Sequence, residues 1–330
     1  MRLLRGHTRP IREPHGVASL ERVPLGGVEQ WVLVRGRNVA NPVLLFLHGG
    51  PGMPAMFLAH RFQGPLERHF VVVHWDRRGA GKSYSAGRDP AAASVRRLLD
   101  DAYELTDILR QRFGVEKLLL LGHSWGTYLG MLAASEEPEL FSAYVGTGQI
   151  AGSEAEVAAE QRRFVLDASR AAGEDKVIRR VSESGVRESD LFRYGGELRG
   201  AKSMRPLLLA GLGAPEYTVK DVRNLARGAA DLQRRMQYDA GDERLETAVR
   251  ELRIPVFFLL GRHDHTTPSG LAEKYLSTLE APLKKLVWFE HSGALPVHRG
   301  TGPLRKRAAG GERVRPACHR SDGLKELDRR

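Results

Sequence analysis

The pentapeptide Gly122-His123-Ser124-Trp125-Gly126 has the G-x-S-x-G spacing of a nucleophile held on a sharp strand-to-helix turn. A free serine hydroxyl is a weak nucleophile. The turn lifts it above the strand ends and sets it at the positive end of the following helix. The flanking positions are glycine because so tight a turn leaves no room for side chains. Attack on a carbonyl also needs two backbone N–H groups aimed at the developing oxyanion. Trp125, next after the nucleophile, is expected to supply one. The glycine-rich segment His48-Gly49-Gly50-Pro51-Gly52 is expected to supply the other, with Gly50 as donor. An acid that orients an imidazole belongs after a late strand. Asp264, in Gly261-Arg262-His263-Asp264, follows the apolar run Val256–Leu260 and fits that place; a turn or helix-capping aspartate is the plainer alternative.

Three other patterns invite different chemistry and fit less well. Gly50, Gly52 and Ala55 have the spacing of a dinucleotide fingerprint, with Asp76 closing the next strand. Pro51 removes a donor from that cradle and Pro54 crowds it. Gly79-Ala80-Gly81-Lys82-Ser83 resembles the end of a phosphate-binding loop, but the position that needs its first glycine is Asp76. Trp75–Ser83 is therefore expected to be a structural turn, with Asp76 pairing to Arg77 or Arg78. His263 and His265 flank Asp264 without a further ligand cluster, so no metal is expected there.

The elements that must position these residues alternate in type. Val28–Gly36 and Val43–Leu47 are β-rich and close together, as in a meander, and Phe70–Trp75 is a third strand. Val95, Leu98, Leu99, Ala102, Leu105, Leu109 and Phe113 fall at helical spacing, and Gly114 supplies the stop. Lys117–Leu121 is apolar after its first residue, the mark of a strand buried on both faces of a parallel sheet. Trp125–Ala134 reads as helix and Ala143–Gly146 as strand, so right-handed crossovers and an α/β layer architecture follow. From Gly152 to about residue 241 nothing reads as strand. Ser153 with Glu156, and Thr218 with Asp221, each open a helix there. Strands resume at Val256–Leu260 and Leu286–Phe289.

Composition bounds the rest. The 330 residues are 42% hydrophobic and 28% charged, which suits a folded core and excludes a disordered chain. One cysteine, Cys318, excludes an intrachain disulfide and a cysteine-based zinc site. No apolar run reaches the ~18 residues of a membrane helix. The basic, proline-broken start lacks a signal-like stretch, so a cytoplasmic location is expected. The net charge of +11 would ordinarily suggest a nucleic-acid or membrane partner. Its placement argues otherwise: from Val297 onward ten Lys and Arg stand against four Asp and Glu. The charge belongs to an irregular tail, residues 297–330, and neither partner is expected.

Taken together, His48–Gly52, Trp75–Ser83, Gly122–Gly126 and Gly261–Asp264 resemble the α/β-hydrolase superfamily. They are most similar to its proline iminopeptidase, or prolyl aminopeptidase, branch, over roughly residues 20–296. The resemblance implies an eight-stranded, mostly parallel sheet flanked by helices, with a helical cap inserted between its halves, and no cofactor. The divisions expected are a first core half at 1–151, a cap at 152–245 and a second core half at 246–296. In such enzymes cap carboxylates bind the substrate's N-terminal ammonium. Glu197 and Glu216 are candidates among several acids.

One feature departs from the family. Its pattern after the last strand is F-E-x-S-x-H-x-P, whereas this chain reads Phe289-Glu290-His291-Ser292-Gly293-Ala294-Leu295-Pro296. The triad histidine position is Ala294. His291 comes too early, and His298, four residues late, reaches the site only by a rerouted loop. Ser124, Asp264 and His298 are thus the catalytic candidates, with Gly50 and Trp125 as oxyanion donors. The activity expected is serine hydrolysis through an acyl-enzyme, releasing N-terminal residues, proline-type, from small peptides. A small-acyl esterase or amidase, or a catalytically impaired binding protein, is the alternative. The residues after Gly293 are basic, aperiodic and rich in Gly and Pro. Codons compatible with Ala294–Leu304, read one nucleotide forward, permit His-Phe-Pro-Phe-Thr-Glu, so a shifted reading frame is the expected origin of this tail.

Overall fold

The computed structural model describes residues 6–85, 94–239 and 244–294. Eight strands form one sheet: β1 (Val17–Leu25), β2 (Val28–Gly36), β3 (Val43–Leu47), β4 (Val71–Asp76), β5 (Leu118–His123), β6 (Phe141–Thr147), β7 (Val256–Gly261) and β8 (Lys284–Phe289). Their spatial order is β1-β2-β4-β3-β5-β6-β7-β8. From β4 to β8 every neighbour is parallel, while β1–β2 and β2–β4 are antiparallel. This is the eight-stranded, mostly parallel sheet that the resemblance implies.

The expected meander of Val28–Gly36 with Val43–Leu47 is not formed. β2 pairs with β1 and β4, and β3 lies between β4 and β5. The reason is apolarity on both faces. All five residues of β3 and all six of β4 are buried, and a strand of that kind needs helices on both sides and a strand at each edge. β2, with Glu29 exposed and Trp31 half-buried, tolerates a place nearer the rim. β1 has no counterpart in the sequence reading. Ser19, Glu21 and Arg22 interrupt its apolar residues, and it is an edge strand with mostly half-exposed side chains.

The helices are α1 (Met56–Phe62), α2 (Val95–Phe113), α3 (Trp125–Glu136), α4 (Glu154–Ala171), α5 (Asp175–Ser184), α6 (Glu188–Arg193), α7 (Arg205–Gly211), α8 (Val219–Asp239), α9 (Leu245–Ala248) and α10 (Ser269–Thr278). In α2 the Ser94 side chain caps the start, Gly114 ends it in a left-handed conformation, and Leu98, Leu99, Leu105 and Leu109 are buried. Six helices, α4 to α9, separate β6 from β7, with no strand between them among the described residues. Two reciprocal caps start the long ones. Ser153 and Glu156 cap α4, while at α8 the Thr218 hydroxyl accepts from the Asp221 N–H and Asp221 accepts from the Thr218 N–H.

The turn after β4 ties this insertion to the sheet. Lys82 is buried, and its Nζ donates to Asp221 Oδ2 at 2.8 Å and to the Glu216 carbonyl at 3.0 Å. It also lies 4.3 Å from the Trp31 ring centroid. The turn is structural, but its pairing differs from expectation. Asp76 accepts from the Lys82 N–H and the Tyr217 hydroxyl; Arg78 pairs with Asp101, and Arg77 turns toward His48. A guanidinium on the next residue of an extended chain points to the other face, so a sequence neighbour is a poor ion-pair partner here. Burial pushes the Asp76 carboxyl up to about 7, with the Tyr217 and Lys82 hydrogen bonds opposing.

Candidate active site

Ser124 has φ 50° and ψ −125°, and it is the one non-glycine residue with positive φ among the described residues. Such a conformation costs about 1–3 kcal/mol and persists where its surroundings enforce it. A Cβ on Gly122 would lie 2.7 Å from the Gly126 carbonyl oxygen, and one on Gly126 would lie 2.1 Å from that of Leu47. Both glycines are therefore required by close backbone approach, as the motif predicted. The Ser124 N–H donates to Thr147 O at 3.0 Å, and the Ser124 carbonyl accepts from the Thr127 N–H and hydroxyl. The turn is anchored at both ends, and the side chain remains half-exposed.

The segment after β3 meets this turn. A Cβ on Gly49 would lie 2.9 Å from both Ser124 Cβ and His123 Nδ1. The glycine segment thus passes directly over the nucleophile, with Gly50, at φ 34°, next in line. Trp125 opens α3, where a backbone N–H has no intrahelical acceptor. Arg77 holds the segment from below. It is fully buried, donates to the carbonyls of His48 (2.6 Å) and Pro51 (3.2 Å), contacts both His48 ring nitrogens and lies 4.9 Å from the Trp125 ring centroid. Burial lowers its guanidinium to about 9, with Asp76 opposing. Sequence reasoning missed Arg77, because nothing in W-D-R-R-G distinguishes one arginine from the other.

Asp264 is buried on the loop after β7. Its Oδ1 accepts from the N–H groups of Thr266 (3.0 Å) and Thr267 (2.9 Å), and its Oδ2 from the Thr267 hydroxyl (2.8 Å). Burial pushes the carboxyl up to about 7; the Thr267 hydrogen bonds oppose this and Glu197 adds to it. Ala294 lies beside it: a Cβ on Gly148 would meet Ala294 O at 3.2 Å, Thr267 Oγ1 at 3.3 Å and Asp264 Oδ2 at 3.6 Å. The Ala294 carbonyl and the Asp264 carboxylate thus both approach Gly148, and Ala294 carries a methyl group where the family pattern has an imidazole. His291 is exposed at the end of β8. His298 and the tail lie outside the described residues. His263 contacts Arg199, and His265 stacks on Phe164 with centroids 3.7 Å apart. Among the described residues no histidine hydrogen-bonds Asp264.

The imidazole that does reach this region is His123, whose Nε2 donates to Ala294 O at 3.1 Å. Of the two candidate acids, Glu197 is near Asp264. It accepts from the Thr266 hydroxyl, its own carbonyl accepts from the Ala294 N–H at 3.0 Å, and burial raises its carboxyl. Glu216 instead accepts from Thr8 at 3.0 Å, among groups that tie the N-terminal segment to β2. Among the described residues no group of three His, Cys, Asp or Glu side chains could hold a metal, and no helix is long and apolar enough to cross a membrane.

A strained serine on a strand-to-helix turn, a glycine segment across it and an acid after the penultimate strand define a class. The chain belongs to the α/β-hydrolase fold family, which it matches over residues 42–299. Within that family its relatives are those of the proline iminopeptidase branch. It is 30% identical over 297 residues to the probable aminopeptidase YbaC of Bacillus subtilis (strain 168), spanning 87% of this chain and 93% of that one. It is 26% identical over 273 residues to a proline iminopeptidase of Heyndrickxia coagulans, spanning 78% and 86%. Among solved structures, a proline iminopeptidase of Mycobacterium smegmatis superposes with a TM-score of 0.61 at 20% identity, over 88% of this chain and 96% of that one. A proline iminopeptidase-related protein of Thermus thermophilus gives 0.58 at 22%, over 89% and 96%. The structural likeness carries the fold, and the sequence relatives carry the branch.

Proposed function

We propose that this chain is a serine hydrolase acting through an acyl-enzyme on small peptides, amides or esters, with release of an N-terminal residue, proline-type, as its peptidase activity. The observation that carries the reading is the strained φ of Ser124 beneath the Gly49–Gly50 segment. On this reading the strained turn presents the hydroxyl, and the backbone N–H groups of Trp125 and Gly50 would receive the charge of the tetrahedral intermediate. The names of the relatives, a probable aminopeptidase and proline iminopeptidases, support the substrate class. Residues 152–245 would act as a cap that admits dipeptide-sized substrates, because the insertion lies in sequence between the nucleophile and the acid. Glu197, beside Asp264, is the better placed of the two candidate acids for a substrate ammonium.

Ala294 favours a second reading, a binding protein on a hydrolase scaffold, because an acid without its imidazole cannot activate a serine. Fluorophosphonate labelling of the purified protein beside Ser124→Ala separates the two. Labelling that maps to Ser124 by peptide mass and disappears in the variant supports the hydrolase. No adduct on any form supports the binding protein, and an adduct on a different serine with Ser124 untouched overturns the assignment of the nucleophile.

A further inference from the structure

We propose that His48 is a positioning residue for the oxyanion site: its Nδ1–H holds the Gly49 carbonyl and so sets the direction of the Gly50 N–H, while Arg77 locks the ring in the tautomer that does this. The inference rests on the serine-hydrolase reading above and says what orients one of its two oxyanion donors. A count of donors and acceptors fixes the tautomer. Arg77 is fully buried, and a guanidinium only donates. The two N–H groups of its Nη2 meet two carbonyls, His48 O at 2.6 Å and Pro51 O at 3.2 Å. Its Nε–H meets His48 Nε2 at 3.2 Å. That ring nitrogen must accept, so in a neutral imidazole Nδ1 carries the proton. Nδ1 in turn lies 3.0 Å from the Gly49 carbonyl oxygen, which only accepts. Both bonds require the same tautomer. With both Nη2 hydrogens on carbonyls, the 2.9 Å approach of Nη2 to Nδ1 is a contact and not a third bond. Burial and the Arg77 charge lower His48 well below its ordinary range, so the ring is neutral.

The consequence falls on the next peptide. Gly49–Gly50 is trans, and in a trans peptide the C=O and the following N–H point in opposite directions. A Gly49 carbonyl held on His48 therefore sends the Gly50 N–H away from the His48 ring. Among the described residues that N–H has no acceptor. The Gly50 carbonyl is taken by the Met53 N–H at 2.6 Å, so every carbonyl from His48 to Pro51 is engaged. The segment needs such a hold. Glycines at 49 and 50 lack the Cβ that restricts φ and ψ, which leaves the peptide between them free to rotate unless something grips it. An oxyanion donor must be in place before charge develops, because reorganisation at that moment costs rate. The gripped peptide also adjoins the nucleophile: the Gly49 backbone packs on the serine, and a Cβ there would lie 2.9 Å from Ser124 Cβ. His48 thus acts through the backbone and touches no reacting atom.

Two measurements test the proposal. The first needs no activity: proton–nitrogen correlation NMR of the histidine rings, with His48 assigned by its loss in His48→Asn. A protonated Nδ1 and a bare Nε2 are expected; the opposite tautomer, or a charged ring at neutral pH, overturns the proposal. The second is Ser124-dependent fluorophosphonate labelling, resolved into an affinity and a maximal rate, in the natural chain and in the Ala294→His background. The phosphoryl oxygen gains charge only as the new bond forms, so an oxyanion donor affects the rate and not the affinity. His48→Leu removes the Nδ1 donor and is expected to lower the maximal rate about 10²–10³-fold, the cost of one oxyanion donor. Asparagine puts an amide N–H where Nδ1 stands, so His48→Asn is expected to recover most of that loss. Rate and affinity falling together, equal losses in the two variants, or no loss in a folded His48→Leu overturns the proposal. Should His48→Leu fail to fold, the tautomer and His48→Asn decide, and a His48→Asn rate down by the full cost of a donor overturns it. No Ser124-dependent labelling in either background, with the expected tautomer present, instead removes the hydrolase reading and the positioning role with it.

Discussion

On one side of the site Ser124 stands on a turn that backbone contacts force into place; on the other, Asp264 stands on a turn whose polar groups satisfy one another. The first arrangement is steric. Gly122, Gly126 and Gly49 each have backbone or Cβ atoms closer than a side chain would tolerate, and only this sequence threads the turn. The second is electrostatic and permissive. Asp264 accepts from Thr266 and Thr267 within its own loop, so the loop closes whether or not an imidazole arrives. The difference teaches that the glycines of the nucleophile turn are fixed by the fold, whereas the fold accepts a methyl group at position 294.

The largest expected effects are on the steric side. Ser124→Ala should abolish turnover and labelling; in subtilisin, loss of a triad serine costs about 10⁶ in kcat. Gly126→Ala should leave little soluble protein, since its Cβ would lie 2.1 Å from Leu47 O. Soluble, labelled Gly126→Ala would break the comparison. Next, Ala294→His should raise the labelling rate about 10²–10⁴-fold, because it sets an imidazole beside Asp264. No gain in a folded variant would mean that the two turns are not in working register.

Legibility in the sequence divides along the same contrast. Gly122–Gly126 was legible because backbone sterics are local, and the bounds of β2 and β3 match their apolar runs. Strand order was not legible. β2 and β3 are close in sequence but separated by β4, a choice made by burial of whole faces. Arg77 and the pairing of Lys82 with Asp221 were equally hidden, since they join segments distant in the chain. Asp264 was singled out by its place after the apolar run Val256–Leu260, and the resemblance supplied the histidine position that Ala294 occupies. It gave no hint that His123 would reach toward Ala294, which follows from side-chain direction at the end of β5.

A smaller effect sharpens the boundary between the regions. Lys82→Met removes the charge that meets Asp221 and is expected to cost about 3 kcal/mol, the lower end for breaking a buried pair. Differential scanning calorimetry should show the loss. If insertion and sheet still melt together at the natural temperature, Lys82 is not a tie between them.

The smallest effect is a pH dependence at Asp264. Its carboxyl is pushed up to about 7 in the fold, above the ordinary value of 3.8. The folded state therefore holds its proton more tightly, and this stability is full below about pH 4 and lost as pH rises through 7. Asp264→Asn lacks the proton, so its stability should rise relative to the natural chain between about pH 4 and 7, then level off. Denaturant titrations across that range would show a parallel pair of curves if the acid turn were solvated.

The sheet order also has a consequence in time. β3, β5 and β6 are neighbours drawn from a chain stretch ending at Thr147, whereas β6 and β7 are neighbours joined only across the long insertion to Val256. Closing that long connection carries an entropic cost that must be met before the pairing of β6 with β7 is rewarded. During refolding the turn at Ser124 should therefore be in place while Asp264 and Ala294 are still undocked. Pulsed hydrogen exchange would record amides of β3 and β5 protected before those of β7 and β8; the reverse order would mean that the second half of the core templates the first.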